Sequence, residues 1–159
     1  MITNDAAIPQ FARPFQGKPA GLVSRVLASR VDLVIVVAAL VAMYAGWATL
    51  SFLLRPAKFQ FPEPSILLIA VAGFAVLTLY LTLGWTVTGR TYGDHLMGLR
   101  VVDRTGRTLH LPRALLRALL CALFPIGLVW TAFSTRSLSV QDILVGSSVT
   151  YDWHIDPTR

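Results

Sequence analysis

Two long runs that are almost free of charge constrain this chain more than anything else in it. Residues 31–54 (VDLVIVVAALVAMYAGWATLSFLL) hold one acid and no base, and residues 65–88 (SILLIAVAGFAVLTLYLTLGWTVT) hold no charge at all. At 1.5 Å of rise per residue, each is long enough for a helix across a hydrocarbon core about 30 Å thick. With their flanks, they predict transmembrane helices over about 22–54 and 64–89. Composition agrees: the chain is 55% hydrophobic and 14% charged, whereas a soluble domain carries roughly a quarter of its residues charged. Mean hydropathy is +0.63. A length of 159 residues accommodates one compact unit and no separate catalytic domain.

The rest of the chain divides around those spans. Residues 1–19, rich in Pro, Ala and Gln, read as a mobile cytosolic arm rather than a secretory signal, because the apolar run begins only after Arg30. A third membrane segment is expected over 113–135. It contains Arg117 near its start and Phe124-Pro125-Ile126-Gly127 at its middle, and is either a kinked crossing or a re-entrant pair of half-helices. Between the second and third segments, 91–112 reads as a cytosolic helix and β-hairpin. Thr91 and Asp94 make a capping-box start, Gly98 ends the helix, 99–103 alternates as a strand, 104–107 is a turn and 108–111 a second short strand. Pro112 suits the first turn of the next helix. The tail, 137–153, echoes this: a short helix over 139–145, Gly146, then alternation over 148–153, a strand expected to pair with 99–103. The fold class is thus an all-α membrane protein with two transmembrane helices, a third Pro-broken segment and a small cytosolic β-hairpin.

Charge sets an orientation. Arg13, Lys18, Arg25 and Arg30 precede the first span, and Arg90, Arg100, Arg104, Arg107, Arg113 and Arg117 follow the second, while only Arg55 and Lys58 lie between the two. The positive-inside bias puts the N-terminus and the second loop in the cytoplasm. The net charge of +6 is spread around apolar runs, which suits anionic lipid headgroups and not nucleic acid. Cys121 is the lone cysteine, and His95, His110 and His154 have no metal-ligand spacing, so neither a metal nor another cofactor is expected. With no GxxxxGK, HExxH, CxxC or GxSxG, the chain does not read as an enzyme.

Three stretches, PAGLVSRVLASRVD (19–32), GRTYGDHLMGLRVVDRTGRTLHLPRALLR (89–117) and QDILVGSSV (141–149), resemble the RDD family of small prokaryotic membrane proteins. The family is named for an Arg at the start of the first membrane helix, an Asp seven residues on and a second Asp near the C-terminus. These map onto Arg25, Asp32 and Asp142. Family members carry basic residues where Asp94 and His95 stand, and Arg then Thr where Ile143 and Ser147 stand. The resemblance implies a multi-pass protein of the prokaryotic cytoplasmic membrane, with transport suggested for the family and sodium/proton exchange attributed to some members.

On a continuous helix Arg25 and Asp32 share a face but are about 10.5 Å apart along the axis, so each needs a partner from elsewhere. If the helix starts near Arg30, Asp32 is a first-turn acid at headgroup level; if it starts near Gly21, Asp32 lies three turns in. Its expected partners are then Thr86 or Arg90, and those of Arg25 are Asp142 or Asp103. Ala38, Ala42 and Gly46 form a small-residue stripe expected to pack within the chain, and Thr78, Thr82 and Thr86 are expected to bond carbonyls of the preceding turn. Two function classes follow. One is a non-catalytic accessory subunit of a larger membrane transport assembly, contacting other membrane subunits or itself. The other is a homo-oligomeric ion- or proton-coupled transporter using Asp32.

Overall fold

The computed structural model describes residues 17–103, 105–124 and 139–152. Helix α1 (Leu22–Leu54) and helix α2 (Ile66–Val87) form an antiparallel hairpin. Helix α3 (Tyr92–Leu96), strand β1 (Leu99–Asp103), helix α4 (Leu111–Leu123), helix α5 (Val140–Val145) and strand β2 (Ser147–Tyr151) follow. The long helices satisfy their own backbone groups along runs with no water to do so. Gly21 is the N-cap of α1, so the helix starts early and Asp32 sits about three turns in. At the hairpin tip, a 3₁₀ turn (Pro56–Lys58) is followed by Phe59, whose ring meets Phe52 and Phe61 edge-on. Tyr44 donates to the Pro62 carbonyl at 3.1 Å, and Ser65 caps α2 by accepting from Leu68 N at 3.2 Å.

The two ends of the hairpin have opposite surroundings. Towards the tip, large apolar side chains stand outward: Leu54 is 71% exposed and Ile66 86%. Buried core helices of soluble proteins do not look like this; helices bathed in lipid or covered by a partner do. At the other end, the first turns of α1 and the last of α2 meet α3, α4, α5 and the sheet in a packed cap whose core includes Leu81, Trp85, Leu99, Val101, Ala114, Ala118 and Val149. Helix α4 turns Ala114, Arg117 and Ala118 inward and leaves Leu111, Leu116 and Leu123 exposed. Two glycines allow the close approaches in the cap. A Cβ on Gly93 would fall 2.1 Å from the Ala28 carbonyl oxygen, and one on Gly84 would fall 2.9 Å from that of Arg90.

The tail strand pairs where the sequence places it. β1 and β2 run antiparallel with Leu99 opposite Tyr151, Val101 opposite Val149 and Asp103 opposite Ser147. Each follows a left-handed glycine, Gly98 at φ 63° and Gly146 at φ 71°, and each short helix before it opens on a capping box, Thr91 with Asp94 and Ser139 with Asp142.

Three expectations need correction. Residues 108–111 are not a strand. Asp103 N does reach the Arg107 carbonyl at 2.9 Å, but Leu111 already opens α4, and β1 takes β2 as its ladder partner. The arm is pinned at its end: Gly17 N donates to Tyr151 O at 2.8 Å, Tyr151 N to Lys18 O at 3.0 Å and Ala20 N to Val149 O at 2.9 Å, so residues 17–20 cover the other edge of β2. The Ala38, Ala42 and Gly46 stripe faces outward, with nothing within 4 Å of a Cβ on Gly46, because α1 meets α2 through Asp32 and Leu40 and the connection before α2 through Tyr44. The Pro125 to Gly127 break lies outside the described residues.

Candidate functional site

The chemistry-bearing residues gather in the cap as two buried clusters, one around each motif acid. Asp142 is the third residue of α5, where its carboxylate closes the capping box by accepting from Ser139 N at 3.1 Å. That places it between two arginines. Arg25, from the first turn of α1, donates to Oδ2, and Arg117, from the inward face of α4, lies 2.8 Å from Oδ1. Ser147 Oγ adds a hydrogen bond to Oδ1 at 3.3 Å. All three charged side chains are buried. Burial alone would raise the Asp142 pKa, but Arg117 and Arg25 outweigh it and hold the carboxyl below its ordinary range. One carboxylate thereby joins α1, α4 and α5, and losing one member of such a group leaves an uncompensated buried charge at a cost of about 3–5 kcal/mol.

Arg117 extends the network. Its Cζ lies 4.6 Å from the centroid of the Trp85 ring on α2, and the Trp85 Nε1–H donates to Asp94 Oδ2 at 3.0 Å, so α5, α4, α2 and α3 are linked through consecutive polar contacts. Its position was legible as the one charge in LLRALLCALF, residues 115–124, yet its pairing with Asp142 was not.

Asp32 is held differently. Oδ1 accepts from Tyr80 OH at 2.8 Å and from the Gly93 amide at 2.8 Å, and Oδ2 accepts from Thr91 Oγ1 at 2.6 Å. The Tyr80 oxygen in turn accepts from Tyr92 N at 3.1 Å. The carboxylate sits at the N-terminus of α3 and joins α1 to α2 and α3, and no ion pair reaches it among the described residues. The expected partners are engaged elsewhere. Thr86 donates to the Thr82 carbonyl of its own helix at 2.8 Å, as Thr82 does to Thr78 at 2.7 Å; Arg90 pairs with Asp152 at 2.9 Å. Nor does Asp103 meet Arg25. It is partly exposed and accepts from Thr105 N and Oγ1 and from Arg107 N, and the Thr105 hydrogen bond lowers its pKa.

The structure thus pairs Arg25 with Asp142 and keeps Asp32 apart from both. The model of the RDD family matches residues 19–146, which takes in Arg25, Asp32 and Asp142 together with the spans between them. The chain belongs to the RDD family. RDD proteins are membrane proteins, which accounts for the exposed leucines of the hairpin. No curated protein and no solved structure matches the chain. In this RDD protein the motif acids accept hydrogen bonds from groups that are themselves fixed in the cap, an arrangement that can hold segments together or, at Asp32, hold a carboxylate ready in a span.

Proposed function

We propose that this RDD protein is a non-catalytic accessory subunit that lays its exposed hairpin against a larger membrane transport assembly. The observation that supports this best is where the motif charges go. Arg25 and Arg117 are committed to Asp142, and both oxygens of Asp32 are occupied by fixed donors. The surface left for others is apolar: the outer faces of α1 and α2, including the Ala38, Ala42 and Gly46 stripe that admits a close helix neighbour. Gentle detergent extraction followed by identification of co-purifying proteins tests it. A larger transporter in stoichiometric amount is the expected result, and a pure homo-oligomer contradicts it.

One observation favours the second reading: Asp32 has no counter-cation among the described residues, and an intramembrane acid without one suits a cation or proton site. If Asp32→Asn assembles like the parent yet abolishes ion-dependent transport in vesicles, that reading replaces the first.

For topology we infer a prokaryotic cytoplasmic membrane with the cap and N-terminus in the cytosol, from the basic residues flanking the cap and the sparse Arg55 and Lys58 at the tip. Pairing of β1 with β2 supports a third segment that leaves the cap and returns to it, since both strands need one compartment. A cysteine at Gln60 should react with an impermeant reagent in intact cells and one at Arg104 should not; the opposite pattern overturns the orientation.

A further inference from the structure

Within the cap, a cavity of ≈ 430 Å³ lies between α1, α2, α4 and the sheet, inside the range of about 300–1,000 Å³ typical of small-molecule sites. Its lining follows the two long helices. On α1 it runs from Arg25 at the cap end to Leu33 towards the hairpin, and on α2 from Trp85 to Leu77, about 12 Å of rise in each case. Charges and leucines share this wall, Arg30 and Asp32 standing within three residues of Leu33 on α1. The charges differ in what they have left to give. Asp142 engages Arg25 and Arg117, and Asp32 has both oxygens occupied. Arg30, at the rim, is exposed and has no acceptor among the described residues. Within the wall, Arg117 is 4% exposed and its Nε–H also lacks an acceptor among the described residues.

We propose that this cavity binds an anionic phospholipid from the leaflet that meets the cap, one of its acyl chains beside Leu33, Leu77 and Leu81 and its phosphate at Arg30. A free phosphate has no use for the leucines, and a neutral amphiphile none for Arg30. The mixed lining fits a molecule with both parts. The proposal rests on the membrane setting of the family and not on the accessory-subunit reading, so either can fail without the other.

Cys121, the lone cysteine, lines the cavity and reports its occupancy. The full chain, purified in mild detergent, is alkylated with a maleimide in the presence of phosphatidylglycerol, of phosphatidylcholine with the same chains, or of inorganic phosphate. Phosphatidylglycerol should slow alkylation about tenfold when present at about ten times its dissociation constant, and the other two should slow it little. Arg30→Gln, which removes no contact within the described residues, should unfold at the parent's temperature and lose most of that protection. Leu77→Trp, which narrows the leucine-lined wall, should reduce phosphatidylglycerol retained in native mass spectra. The proposal is overturned if no lipid protects Cys121, if phosphatidylcholine or phosphate protects it equally, or if Arg30→Gln keeps the parent's protection.

Discussion

The outer half of the hairpin and the cap use the same helices for different ends. From Ala38 to Leu54 on α1, side chains of every size stand largely exposed and a Cβ at Gly46 meets nothing; from Leu22 to Val36, the same helix buries Arg25, Ala28, Asp32 and Val36, and Gly93 has no room for even a methyl group. The first stretch is written for a surrounding medium and the second for this chain's own segments. Mutations should therefore act on self-assembly in the cap and on association in the hairpin.

The largest effect is expected at Asp142. Asp142→Ala leaves Arg25 and Arg117 buried without their acid, and unfolding in detergent should show a loss of about 3–5 kcal/mol. A loss below about 1 kcal/mol breaks the contrast between the two regions. The glycine pair sharpens it. Gly93→Ala forces α3 off α1, with an expected cost of about 1–3 kcal/mol or more from overpacking, whereas Gly46→Ala should change the isolated protein's stability by no more than about 1 kcal/mol. Gly46→Ile should leave stability similar and weaken co-purification with a partner, read by quantitative proteomics of the extract.

Acid should act on the cap first. Because the Asp142 pKa is lowered in the folded state, its contribution is complete above the unfolded value of about 3.9 and is lost as pH falls below that through the folded value. Thermal unfolding measured between pH 6 and 3 should show this drop in the parent and a shallower one in Asp142→Asn. The smallest change belongs to Asp103→Asn, since the Asp103 carboxylate is partly exposed and bonds only its own turn. Amide exchange at Thr105 should quicken while the unfolding temperature stays where it was.

Much of this was legible from residues 31–54 and 65–88, whose length and lack of charge admit little besides spanning helices, and from the two short helices each ended by a glycine, the first opening on Thr91 and Asp94. These are local signals, and local chemistry decides them. The partners of β1 and Asp32 were not local. Turn-forming Arg104 to Arg107 favoured a second strand at 108–111 that does not form; the pairing of β2 with β1 was expected from the alternation of both segments, and only the folded cap shows that 17–20 covers the far edge of β2. Asp32 found a tyrosine hydroxyl and a backbone amide, and an amide leaves no mark in a sequence. Pairing rules that seek a base for every acid led instead to Arg90, which Asp152 holds.

That the motif charges brace the cap is tested most directly by a double-mutant cycle. Arg25→Gln, Asp142→Asn and the double variant are unfolded in the same detergent, and the coupling energy between the two sites is compared with the single effects. The bracing account predicts coupling of about 1–3 kcal/mol, with the double variant no worse than the poorer single one. Additive losses within about 0.5 kcal/mol contradict it, because two charges that do not lean on one another cannot be what joins α1 to α5.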